Sequence, residues 1–209
     1  MSIAIKTKLD LSKLERRYVS DFSAASSTDM IIEGYAAVYE SESEREIAYG
    51  TTYTEVIRRG AFDRTDFSKC VLRYNHEESV MALARVKNES LQLKVDNRGL
   101  FIRARIINSQ IGRDLYRGVQ EGLFDKMSYA YLVADGGDTY TYNDDYTRVF
   151  REIKEISKVY DVAIVDHPFY DDTELYASSL KTLEEEKRRL DGLTLAKNKL
   201  KMKMKWRTI

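Results

Sequence analysis

The sequence contains few cysteine, proline and histidine residues: one cysteine, one proline and two histidines in 209 residues. The lone Cys70 excludes an internal disulfide and a cysteine-cluster zinc site, which fits a reducing compartment. His76 and His167 lie far apart and outside any i, i+4 pattern, and a glycine-rich phosphate loop is absent. The sequence therefore predicts no metal and no other cofactor, and it places Cys70 in the core.

Long hydrophobic runs are also absent. No segment approaches the ~20 apolar residues that span a bilayer, and the first ten residues lack the apolar block of a signal peptide. These absences predict a cytosolic protein without a membrane partner. The 43% hydrophobic content is enough for a real core, and we expect one main domain.

Charge is balanced overall but unevenly placed along the chain. The formal net charge is zero, yet six Lys and Arg residues and no Asp or Glu follow Asp191. The sequence therefore predicts an acidic body with a basic tail. The tail could lie on a protein partner, on nucleic acid or on nothing, and the acidic body argues against nucleic acid.

Short strands dominate the middle of the chain. Segments that are rich in Tyr, Ile, Val and Thr, or that alternate apolar and polar residues, predict strands. The residues from Asp96 to Gly99 have the composition of a hairpin turn. A four-residue apolar repeat predicts one helix, with Ser109 as its N-cap. The charged run 40–46 and the Tyr- and Asp-rich stretch 136–146 are expected to be loops. The predicted strands are 31–39, 53–57, 69–74, 81–85, 91–95, 100–107, 128–133, 148–156 and 159–165, and the predicted helix is 109–121.

This pattern predicts a mixed α/β (α+β) fold, with the strands in a β-barrel or folded sheet rather than in βαβ units. Residues 1–29 form an N-terminal arm and residues 30–175 form the body. Residues 176–209 form a helical, basic C-terminal extension, in which a charged helix with a narrow leucine stripe precedes the basic tail.

Three side chains could supply hydrolytic chemistry. A serine nucleophile needs a base that exchanges protons near neutral pH, and His76 is the candidate for that base. Ser128 stands at the start of a predicted strand. Strict alternation places Asp161 on one face with apolar residues such as Val159, where a carboxylate needs a partner. Ser128, His76 and Asp161 would together form a nucleophile, a base and an orienting acid.

Other roles remain open for each of these residues. Ser128 could simply be tolerated at a strand start, and His76 could hydrogen-bond a loop at a strand end. Asp161 could instead pair with Arg73 or Arg103. His167 precedes the single proline and is expected to be a structural turn residue.

Several short segments stand in a characteristic order along the chain. The segments are EGYAAVY at 33–39, RGAF at 59–62, YNHE at 74–77, DNRGL at 96–100, KMSY at 126–129, DVAIV at 161–165 and PFY at 168–170. No segment is specific alone, but their order and spacing over residues 31–175 are. Together they resemble the prohead maturation proteases of tailed bacteriophages.

The resemblance implies a serine endopeptidase whose fold is related to the herpesvirus assembly protease, a β-barrel flanked by helices. The family histidine and serine fall on His76 and Ser128. The acidic position, usually glutamate, falls on Asp161, with Ala163 in place of a serine; Tyr129 begins a Tyr-Ala-Tyr segment where Phe-Gly-Phe is commoner. Aspartate is one methylene shorter than glutamate, so Asp161 has a shorter reach toward His76.

The implied role is cleavage of scaffold or major capsid protein, and of the chain itself, inside the assembling prohead in the host cytoplasm. The extension 176–209 could bind scaffold or shell during assembly and then be removed by self-cleavage. It could instead be a solvated tail. The active form could be a monomer or a homo-oligomer. The rival hypothesis is a non-catalytic assembly protein that binds scaffold and retains the protease fold.

Overall fold

The computed structural model describes residues 14–19, 22–26, 29–47, 51–143 and 147–166. Of these residues, 54% lie in strands and 10% in helices, so the described part is mostly β. In chain order the strands are β1 (Glu15–Val19), β2 (Phe22–Ser26), β3 (Ile31–Val38), β4 (Glu42–Ile47), β5 (Thr51–Ile57), β6 (Val71–Tyr74), β7 (Ala84–Arg85), β8 (Leu91–Val95), β9 (Gly99–Arg105), β10 (Lys126–Val133), β11 (Asp138–Tyr142), β12 (Arg148–Ile153) and β13 (Ile156–Val165).

The strands form three sheets. The first has the order β1-β10-β13-β6-β7, the second β11-β12-β5-β4 and the third β2-β3-β9-β8. Most neighbours are antiparallel, but β13 pairs with β6 and β12 pairs with β5 in parallel. The first sheet carries the candidate site, because its three central strands bear or lead into the residues predicted to be catalytic.

The hairpin β8–β9 shows how local sequence sets strand pairing. Asp96 Oδ1 accepts hydrogen bonds from the backbone N–H groups of Arg98 (2.8 Å) and Gly99 (3.1 Å), which is the side-chain behaviour that favours aspartate in turns. Gly99 approaches the backbone of Ala37 so closely that a Cβ would lie 2.0 Å from its carbonyl oxygen. The predicted hairpin is confirmed.

The only α-helix in the described residues is α1 (Gln110–Gln120). Ser109 is its N-cap, and the Ser109 side chain accepts a hydrogen bond from the Gly112 N–H at 3.1 Å. Leu115 and Val119 are buried on one face, as the four-residue repeat predicted, but Ile111, the first residue of that repeat, is 42% exposed. A short 3-10 helix, Val86–Asn88, precedes β8. No helix in the described part of the chain is long and apolar enough to cross a lipid bilayer.

A buried ionic cluster joins the first and second sheets. Arg151 of β12, 4% exposed, pairs with both carboxylate oxygens of Glu15 in β1 and with Glu55 in β5 at 3.1 Å. Tyr131 of β10 donates a hydrogen bond that Glu55 and Glu15 share, at 3.3 Å from each. Burial raises the pKa of Glu15, while Arg151 opposes that rise. Removal of one charge from such a cluster typically costs about 3–5 kcal/mol, so the cluster fixes β10 against the second sheet.

The predicted fold class is wrong. The described residues contain three open sheets with one α-helix, and they do not form a mixed α/β fold or a closed barrel flanked by helices. Alternation in the sequence identifies strands, but closure of a barrel depends on pairing between the outermost strands. The described sheets instead end at β1 and β7, at β11 and β4, and at β2 and β8.

Two predicted loops are strands. The charged run 40–46 contributes to β4, which pairs with β5 and exposes the carboxylates of Glu42, Glu44 and Glu46 along a sheet edge. Charges are common on edge strands because they oppose pairing with other chains. The stretch 136–146 contains β11, which pairs with β12. The sequence predicted loops for β4 and β11 because both segments are rich in polar residues.

The arm, body and extension boundaries stay predictions. Within the proposed arm, β1 pairs with β10 and β2 pairs with β3. The proposed extension 176–209 and His167 lie outside the described residues.

Candidate active site

The three predicted catalytic residues lie in one hydrogen-bonded chain. His76 Nδ1 is 2.6 Å from Asp161 Oδ1, and His76 Nε2 is 2.6 Å from Ser128 Oγ. A carboxylate can only accept a hydrogen bond, so Nδ1 carries the proton and Nε2 accepts from the serine hydroxyl. This arrangement can remove a proton from Ser128 when a bond forms at its oxygen.

Strand register explains how residues distant in sequence meet. Ser128 pairs with Ala163 across β10 and β13, while Asp161 pairs with Ala130. Ser128 and Asp161 are therefore diagonal neighbours, about 7–8 Å apart at the backbone. An imidazole ring with a hydrogen bond at each end spans that distance, and the small side chain of Ala163 leaves room beside Ser128.

A β-bulge in β13 lies directly before Asp161 and separates it from Val159. Asp161 pairs with Ala130 but Val159 pairs with Tyr131, so Tyr160 is an extra residue in β13. Asp161 and Val159 align with opposite faces of β10, and the expectation from strict alternation that they share a face is wrong. The bulge thus changes the face of Val159, while regular pairing fixes the face of Asp161.

His76 follows β6 in a tight turn. The Glu77 N–H donates to the Tyr74 carbonyl at 2.9 Å, and the two central residues, Asn75 (φ 48°) and His76 (φ 59°), are left-handed. Asparagine and histidine are among the residues that tolerate this conformation best. The turn lifts the imidazole from the end of β6 over the neighbouring β13.

Asp166 holds the turn through side-chain contacts. Asn75 Nδ2 donates to Asp166 Oδ1 at 2.9 Å, and the Asp166 N–H donates to Asn75 Oδ1 at 3.3 Å. Tyr74 also donates its hydroxyl to Asp166 Oδ2 at 2.8 Å. No role was predicted for Asn75 or Asp166; the signal in the sequence is an asparagine directly before the candidate histidine, at the end of a predicted strand.

Arg73 accompanies His76 at Asp161. Its Nε lies 3.9 Å from Asp161 Oδ2, and its Nη1 donates to the Glu77 carbonyl at 2.9 Å. Asp161 therefore contacts both His76 and Arg73, whereas the sequence predicted one or the other as its partner. Arg103, the other proposed partner, pairs with Glu33.

Burial separates the site from bulk water. Ser128 has no exposed surface, and His76 and Asp161 are 8% and 7% exposed. The low dielectric strengthens the hydrogen bonds among them.

Cys70 is not suited to act as the nucleophile. It is fully buried, as predicted. Burial raises the pKa of its thiol well above the ordinary value, and the nearby negative charge of Asp161 raises it further. The reactive thiolate is therefore disfavoured. Among the described residues, no group of three or more His, Cys, Asp and Glu side chains could hold a metal ion.

Comparison with known protein families identifies the chain. The family model described as caudovirus prohead serine protease matches residues 14–188, more than half of the 209 residues. This confirms the family predicted from the order of the sequence segments. Searches of curated proteins and of solved structures found no match. The matched range contains all three residues of the hydrogen-bonded chain. The chain therefore belongs to the caudovirus prohead serine proteases, a family of hydrolases with a role in bacteriophage capsid maturation.

Proposed function

We propose that the chain is a serine endopeptidase in which Ser128 is the nucleophile, His76 the general base and Asp161 the orienting acid. The observation that carries the proposal is the continuous pair of 2.6 Å hydrogen bonds from Ser128 through His76 to Asp161. Family membership supports the same reaction class. The proposed roles need no cofactor.

The reaction proceeds in two halves. Ser128 Oγ attacks the scissile carbonyl while His76 Nε2 takes its proton, and the imidazolium then gives that proton to the leaving amine. Water next attacks the acyl-enzyme, with His76 again as base, and releases Ser128. Asp161 keeps the Nδ1–H tautomer in place and stabilises the positive charge that forms on the ring.

The proposed substrates are the scaffold protein, the major capsid protein and the chain itself. The place of action is the interior of the assembling prohead in the host cytoplasm. Confinement there raises the effective concentration of the cleavage sites, which compensates for a slow enzyme. The basis for these substrates is the capsid-maturation role of the family.

The test is processing of cognate capsid and scaffold proteins by the purified chain, followed by mass spectrometry of the fragments. Ser128→Ala should stop cleavage of both proteins and of the chain itself. Ser43→Ala, at an exposed position on β4, is the matched control and should cleave as the parent does. Equal processing by parent and Ser128→Ala would overturn the proposal and favour a non-catalytic assembly protein.

A further inference from the structure

An open cavity of about 530 Å³ lies where β7 and the end of β9 meet. Its lining combines basic, amide and apolar side chains with one carboxylate, Asp29. The lining residues that carry its charge and its apolar surface are Arg85, Arg105, Arg113, Leu83, Ile106 and Ile107.

The charge of this cavity is mainly positive, because three arginines face one aspartate. The side chains of Arg85 and Arg105 are exposed and make no hydrogen bond or ion pair with another residue in the described part of the chain. Arg113 is held by Asn108 at 2.8 Å and by Gln110 at 3.1 Å, neither of which neutralises it. The cavity therefore offers guanidinium groups to an anionic ligand.

Apolar groups accompany the arginines. Leu83 and Ile106 form a buried floor, each at most 2% exposed. Ile107, also on the lining, is 42% exposed and forms an apolar rim. A ligand that carries both carboxylates and apolar side chains matches this surface, whereas a nucleic acid backbone would leave the apolar rim uncovered.

Strand register connects the cavity to the candidate active site. Arg85 pairs with Val71, and Val71 pairs with Asp161, so all three lie in one row across the first sheet. Residues in one row point to the same face, and two strand spacings separate Arg85 from Asp161 by roughly 10 Å. Ser128 lies one strand beyond, at roughly 15 Å, or about five residues of extended peptide.

We propose that this cavity binds an acidic, apolar-containing segment of the protein substrate, with Arg85 and Arg105 as the residues that select carboxylate side chains. The segment lies about five residues from the bond that Ser128 attacks. This proposal rests on the proposed protease function, and it adds the substrate class to it.

The experiment measures peptide binding in the Ser128→Ala background, so that cleavage does not interfere. The probe is a short fluorescein-labelled peptide of alternating Leu and Glu, compared by fluorescence anisotropy with otherwise identical peptides that carry Gln or Lys. The full chain should bind the Glu peptide at least about tenfold more tightly than the Gln peptide, equivalent to about 1.4 kcal/mol. Added salt should reduce this preference.

Charge reversal tests the two arginines. The double substitution Arg85→Glu with Arg105→Glu should weaken the Glu peptide about tenfold or more and should create binding of the Lys peptide. Arg64→Glu, at an arginine whose side chain is 78% exposed outside the cavity, should leave both affinities unchanged. Gain of Lys-peptide binding requires a folded chain, so it separates loss of specificity from unfolding.

Three results would overturn this inference: equal affinity for Glu and Gln peptides, charge reversal without effect, or tighter binding of single-stranded DNA than of the Glu peptide. None of these results concerns catalysis. Loss of processing in Ser128→Ala therefore tests the proposed function separately from the binding site.

Discussion

Ser128 and Asp161 lie on adjacent antiparallel strands two residues out of register, and His76 bridges them diagonally with a 2.6 Å hydrogen bond at each end. The β10–β13 register thus fixes the spacing that an imidazole must span. Asp161 reaches His76 because the regular pairing of Ser128 with Ala163 and of Ala130 with Asp161 places Ser128 and Asp161 on one face of the sheet.

Replacing Asp161 with asparagine should lower kcat by roughly 10³- to 10⁴-fold with little change in KM. The amide can donate to Nδ1, which favours the imidazole tautomer that cannot accept the serine proton. Steady-state kinetics on a cognate substrate peptide measure the effect. Asp135→Asn, at an exposed turn position, is the control. Parent-like kcat in Asp161→Asn would show that this carboxylate does not orient the base.

Replacing Asn75 with alanine should lower the free energy of unfolding by about 2 kcal/mol and should also lower kcat. Alanine pays the cost of a left-handed conformation and loses the hydrogen bonds to Asp166. Asn75→Gly loses only the hydrogen bonds, so it should cost about 1 kcal/mol. Denaturant unfolding measures both variants, and identical stability of Asn75→Ala and parent would contradict the role given to this turn.

Cys70 should resist alkylation in the native protein. At pH 8, iodoacetamide should label the chain in guanidinium chloride but not the folded chain, because burial and the charge of Asp161 both raise the pKa of the thiol. Mass spectrometry before and after unfolding measures the difference. Rapid native labelling that also abolished cleavage would instead indicate a cysteine nucleophile.

Asp66 should contribute a small, pH-dependent stabilisation. Hydrogen bonds from Ser68, together with Lys158, lower the pKa of Asp66 from 3.8 to about 2. The folded state therefore favours the ionised form, and the stabilisation is present above pH 3.8 and lost as the pH falls through about 2. The side chain is 46% exposed, which limits the contribution to less than about 1 kcal/mol.

Denaturant unfolding of parent and Asp66→Asn across this pH range checks the sign. The stability difference should be largest near neutral pH and should vanish below about pH 2. Lys158→Met should remove the share due to the 3.0 Å ion pair. A difference that grew toward acidic pH would contradict the assignment.

The sequence predicted that Ser128, His76 and Asp161 meet, and the structure brings these side chains together, while their catalytic roles stay predictions. The architecture around them was not predicted. The scarcity of histidine restricted the base to two positions, alternation indicated that Asp161 needs a partner, and the resemblance to the prohead proteases pointed to all three residues. The bulge at Tyr160 could not be predicted, because it depends on how β13 pairs with β10. The pairing of the charged β4 with β5 likewise depends on long-range contacts that local polarity does not encode.

The most direct test of the account is a double-mutant cycle on the rate of substrate cleavage, with Ser128→Ala, His76→Ala and the two combined. Residues that act as one unit lose nearly all activity when either is removed. Each single variant should therefore lose at least about 10⁴-fold, and the double variant should be little slower than either. Cleavage at the parent rate by Ser128→Ala, or losses that multiply in the double variant, would contradict the account.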